Sequence, residues 1–173
     1  MAPPTGGAAL SRITRVGLVA LAFGLAAPLA RADNRLGGHF GAVVAPLVSS
    51  KDNSSIFDNF SIGFPMGITV KKSDKFAFDL EIVASIDSDP LSTGLTIHPG
   101  VLWGLSNNFT FGLRFAIDVT GDAWGFTPLL NKGFPYGGYT LFAEAVAPIR
   151  FSQDVSGDND TTIGLGIHVG IGL

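Results

Sequence analysis

From Thr162 to Leu173 the chain alternates without exception: Ile163, Leu165, Ile167, Val169, Ile171 and Leu173 share one parity, Gly164, Gly166, His168, Gly170 and Gly172 the other. A helix would scatter these residues around a cylinder, whereas a strand sends every aliphatic to one face. Glycine weakens a solvated strand. It suits a face that a neighbouring backbone or a long side chain approaches closely. The pattern therefore calls for a strand that is greasy on one side and closely packed on the other.

The same period recurs along most of the chain. Residues 36–47, 60–70, 76–87, 95–105, 109–119, 124–130, 139–149 and 162–173 read as eight strands, the sixth and seventh interrupted by Pro128 and Pro148. Most are about 10 to 12 residues long, the length that crosses a bilayer at a tilt of about 45°. Polar turns at 71–75 and 106–108 are short, while 48–59, 88–93 and 152–160 read as longer connections. Short turns on one side and longer loops on the other are the habit of up-and-down membrane barrels.

Composition settles the class. Charged residues make up 14% of the chain, against about 25% in soluble domains, yet after residue 32 no apolar run is long enough for a spanning helix. Hydrophobicity hidden in alternation is what a transmembrane barrel requires. Residues 1–32 have the parts of a cleaved signal peptide: Arg12 and Arg15, an apolar stretch over 16–29, then Ala30-Arg31-Ala32. The remaining 33–173 would form one barrel domain with 11 − 3 = 8 Lys plus Arg against 14 Asp plus Glu, so 8 − 14 = −6. That balance argues against nucleic acid. The absence of cysteine leaves no disulfide to hold an exported chain.

On these residues the chain resembles the small eight-stranded outer-membrane barrels, the group containing the OmpA transmembrane domain, OmpX-like proteins and the lipid A palmitoyltransferase. The resemblance covers about residues 36–173 and implies an all-β, eight-stranded antiparallel up-and-down transmembrane β-barrel in the outer membrane of a Gram-negative bacterium. In that family the last strand is the assembly signal. Here Ile167, Val169, Ile171 and Leu173 hold the spacing, with Leu173 where the family usually has Phe. The partners implied are outer-membrane lipid and the barrel-assembly machinery, with a monomer as the unit. Phe76, Trp103, Phe109 and Tyr139 fall at one set of strand ends and Trp124 at the other, as an aromatic girdle would.

An eight-stranded barrel has a lumen that side chains fill. Five steps inward from Phe76, Phe109, Tyr139 and Leu173 lie Glu81, Arg114, Glu144 and His168, so all four should share one level. A lone charge there costs several kcal/mol, and pairing is required. Arg114 is expected to bridge Glu81 and Glu144, with His168 and Asp79 completing a lumen ion network. The family uses a comparable network, as the resemblance implies.

Other chemistry is weakly signalled. His39, His98 and His168 all fall on the inner face, but their spacing on separate strands shows no convergent metal site, and neither metal nor cofactor is expected. Strand prolines at 46, 65, 99, 128 and 148 resemble those with which the palmitoyltransferase admits a lipid chain sideways. That enzyme needs a nucleophile near a base, and Ser85 with Asp87 has no histidine at its rim; no catalytic residue is assigned. A soluble lipocalin-like lipid carrier would require a wet, charged outer face, where this chain has glycines. The expectation is a non-enzymatic barrel with a filled lumen and a structural or surface-interaction role.

Overall fold

The computed structural model describes residues 35–49, 54–88, 90–153 and 157–173. The proposed signal peptide, residues 1–32, lies outside them. The described residues form strands β1 (Arg35–Ser49), β2 (Ser54–Ser73), β3 (Phe76–Ser88), β4 (Leu91–Gly104), β5 (Phe109–Asp118), β6 (Trp124–Tyr136), β7 (Tyr139–Val146), β8 (Ile149–Gln153) and β9 (Asn159–Gly172). Each pairs antiparallel with its neighbour, and β9 pairs with β7 and β8 on one side and with β1 on the other. The β1–β9 ladder closes the sheet, which removes both edges.

β7 and β8 are two halves of one barrel strand. Leu129 pairs with Val146 and Phe126 with Ile149, while Val146 pairs with Gly166 and Ile149 with Ile163, so the register is unchanged on both flanks. The interruption is Ala147-Pro148. Proline has no N–H to return to Gly164, although Gly164 still donates to the Pro148 carbonyl at 2.8 Å. Pro128 lies opposite on β6, where Ala147 donates to its carbonyl at 3.0 Å and receives nothing in exchange. Counted as barrel strands the total is eight, in a closed up-and-down antiparallel barrel.

Side chains alternate as the period-2 pattern requires. Ile167 is 61% exposed and the adjacent His168 1%; Ile82 is 40% exposed and the adjacent Glu81 3%. Phe64 and Phe111 face out, and Arg114 faces in. The glycines seat the inner side chains. An added Cβ on Gly41 would lie 2.2 Å from the Val169 carbonyl oxygen and 2.7 Å from His168 Nε2, so the imidazole of β9 rests directly on the backbone of β1.

The connections differ from the sequence expectation. Ser88 pairs with Leu91, so the loop expected over 88–93 is a tight turn. Strands replace much of 48–59 and 152–160 as well, with β2 starting at Ser54, β8 running to Gln153 and β9 starting at Asn159. The sixth strand runs on to Tyr136 and turns through Gly137, at φ 60°. Polar residues pair through their backbones as readily as apolar ones, so polarity does not mark where a ladder ends.

Candidate functional site

β3 carries Asp79 and Glu81 on its inner face, two residues apart, and its register with β4 puts His98 beside Glu81. β5 sends Arg114 inward beside Gly100, the only kind of residue that leaves room for its side-chain stem. Glu144 on β7 faces His168 on β9. Arg114 Nε donates to Asp79 Oδ2 at 2.8 Å, and Nη1 lies 3.0 Å from Glu144 Oε1 and 3.2 Å from Glu81 Oε2. His168 Nδ1 is 3.2 Å from Glu144 Oε1. All five residues proposed for the network meet in one cluster.

Two histidines extend it. His39 Nε2 lies 3.0 Å from Glu81 Oε2, and His98 Nδ1 lies 3.2 Å from Glu81 Oε1. The remaining oxygens are also engaged: Thr69 Oγ1 donates to Asp79 Oδ1 at 2.8 Å, and Asn131 Nδ2 donates to Glu144 Oε2 at 3.2 Å. Saturating a buried carboxylate in this way is what makes its charge tolerable. Among the described residues His168 Nε2 has no hydrogen-bond partner; it packs on Gly41. No group of three or more His, Asp or Glu among the described residues is arranged to hold a metal ion.

Arg150 was not among the residues expected here. Its Nη1 donates to the carbonyls of Phe126 and Ile149, both at 3.1 Å, and its Nη2 lies 3.1 Å from His98 Nε2. It shares the inward parity of Glu144 and Val146, which was the signal available in the sequence. The seventh strand as read from the sequence ends at Ile149, one residue short of Arg150.

The lumen is divided at this level. Toward the rim where β1 begins and β9 ends, a cavity of about 380 Å³ reaches down from Lys71, Thr110 and Thr140 to a floor of His39, Arg114 and Glu144. On the far side of the cluster, Val83, Ala116 and Val146 are buried. Buried apolar side chains thus lie on one side of the cluster and an open cup on the other.

The aromatic residues form two outer groups. At the cup rim Phe76 meets Trp103 at 6.1 Å, Trp103 stacks on Phe111 at 5.7 Å, and Tyr136 meets Tyr139 at 5.5 Å. Phe109 carries the ammonium of Lys132 over its ring at 4.4 Å. At the opposite rim Trp124 contacts Phe151 at 4.9 Å, and also Phe115 and Phe126. Ile167, Val169 and Leu173 are exposed along the outer face of β9, with Ile171 in the same row.

Fold and site together define a small closed β-barrel with an apolar exterior and an ionic interior. Among solved structures it is similar to the outer membrane protein OprG from Pseudomonas aeruginosa, at 9% identity and a TM-score of 0.45, covering 80% of this chain and 94% of that one. It is also similar to a de novo designed transmembrane β-barrel, at 13% identity and a TM-score of 0.37, covering 76% and 94%. No protein-family model matches the chain, and no curated protein does.

Proposed function

We propose that this chain is a monomeric, non-catalytic barrel of the Gram-negative outer membrane, exported by residues 1–32, with a lumen closed by the Arg114 cluster and a structural or surface-interaction role. The observation that carries the reading is the inversion of sidedness. A soluble barrel buries its aliphatics and wets its charges; here Ile82 and Ile167 face out while Glu81 and His168 are sealed in. Only acyl chains solvate such an exterior favourably. Two aromatic groups at opposite ends of the strands fit the two membrane interfaces. The outer row Ile167, Val169, Ile171 and Leu173 is the segment proposed for recognition by the barrel-assembly machinery. The non-catalytic reading is supported by the engagement of every network carboxylate with protein donors, which leaves none poised as a free base.

Membrane fractionation tests the reading. The chain should stay in the membrane pellet through carbonate and urea washing and should give no sustained large-conductance openings in planar bilayers. Release into the soluble fraction would refute the membrane assignment, and nanosiemens-scale currents would refute the closed lumen.

A further inference from the structure

The barrel is electrically lopsided. At the cup rim the described charged side chains are Lys71, Lys72, Lys75 and Lys132 against Asp74, or 4 − 1 = +3; at the opposite rim they are Asp87, Asp118, Asp122, Asp158 and Asp160 against Arg150, or 1 − 5 = −4. Arg150 is moreover turned into the wall, onto the carbonyls of Phe126 and Ile149 and onto His98. The basic end is therefore the rim where β1 begins and β9 ends.

Lys132 shows what this end is built to meet. Its place on β6, between the exposed Leu130 and Phe134, is on the outward face, where a cation has no business among acyl chains unless it reaches an interface. It does so by lying over the Phe109 ring at 4.4 Å and donating to the Asn107 carbonyl in the β4–β5 turn. An ammonium carries three protons, and the Asn107 carbonyl takes one of them. Phe76, Trp103 and Phe111 form a continuous aromatic shelf beside the end of β2, which carries Lys72, and the turn that carries Lys75. Flat aromatic surface at glycerol depth with ammonium groups just beyond it is complementary to a phosphodiester headgroup that carries a net negative charge.

Resting on the membrane reading above, we infer that the basic rim, with Lys72, Lys75 and Lys132 over the Trp103 shelf, selectively recruits anionic phospholipid. The acidic rim around Trp124 does not. Charge complementarity chooses this occupant: a zwitterionic lipid brings an ammonium that the lysines repel, and the attraction to an anionic leaflet is worth about a five-fold preference per lysine, equivalent to about 1 kcal/mol.

The two tryptophans are the reporters, one at each rim. The full chain, as Trp103→Phe and Trp124→Phe single-tryptophan variants, is reconstituted in phosphatidylcholine vesicles containing a minor fraction of phosphatidylglycerol, with bromine on the acyl chains of one lipid or the other. Brominated phosphatidylglycerol should quench Trp103 more than its bulk fraction predicts and Trp124 no more than that fraction. The excess should vanish in Lys72→Gln/Lys75→Gln/Lys132→Gln and fade with salt. Equal quenching of both tryptophans by both lipids would overturn the recruitment while leaving the membrane reading intact. An excess that survives the triple substitution would also overturn it. If neither brominated lipid quenches either tryptophan, the membrane reading itself has failed, and the recruitment with it.

Discussion

Removing the Arg114 guanidinium is the sharpest perturbation available. Arg114→Ala would leave Asp79, Glu81 and Glu144, now 2.8, 3.2 and 3.0 Å from its nitrogens, facing one another in a buried space. Thr69, Asn131 and the three histidines keep some partners in place, so the loss falls short of three unpaired ions. Breaking a buried pair by deleting one member costs about 3–5 kcal/mol, and that range is the expected drop in unfolding free energy. The assay is urea unfolding of the chain refolded in detergent, followed by tryptophan fluorescence and by the shift in gel mobility on heating. A second variant separates charge from shape. Glu144→Gln combined with Arg114→Met should cost less than the sum of the single changes by about 1–3 kcal/mol, because residues of one network do not act independently. A loss below about 1 kcal/mol in Arg114→Ala, with additive behaviour in the pair, would refute the idea that this cluster holds the barrel together.

Three further outcomes follow from the wall. Gly41→Ala places a methyl group within 2.2 Å of the Val169 carbonyl oxygen, so the β1–β9 seam should close poorly, at the top of or beyond the ~1–3 kcal/mol range of overpacking; an unchanged yield of heat-modifiable barrel would contradict this. Ile167→Lys, on the outward face of β9, should cost about 2–4 kcal/mol in lipid if it lies near mid-membrane, while Thr161→Lys near the rim should cost about 0–1; equal penalties in vesicle refolding would argue against the proposed membrane position. Pro148→Ala restores a donor opposite Gly164, and hydrogen exchange should show the new amide protected as β7 and β8 merge into one ladder. Exchange at the rate of an open amide would mean that something other than the missing N–H causes the break.

Much of the architecture is legible in the sequence because period 2 is set by strand geometry alone. Once Ile82 and Glu81 are neighbours on a strand, they must face opposite ways, and the direction is then decided by which face carries charges. The counting that brought Glu81, Arg114, Glu144 and His168 to one level worked from turn positions, since in an up-and-down barrel consecutive strands are also neighbours. The same logic failed at the turns of the rim opposite the cup. Residues 88–93 look like a loop because they are polar, but backbone pairing between Ser88 and Leu91 does not depend on polarity. It also missed Arg150, since the seventh strand as read from the sequence ends at Ile149, one residue short of it.

The sequence by itself determined that the chain makes strands, which residues share a face, and that one face had to meet something apolar, because these follow from alternation and from the cost of burying unpaired charge. The tertiary structure alone decided how the interior is shared out. His39 reaches Glu81 across Gly67 of β2, closure of β9 on β1 places His168 over Gly41, and the barrel's stagger leaves a cup on one side of Arg114 and buried apolar side chains on the other. The physical reason is that distances across a lumen depend on the stagger of every ladder around the ring, a quantity that local periodicity along a single strand does not contain.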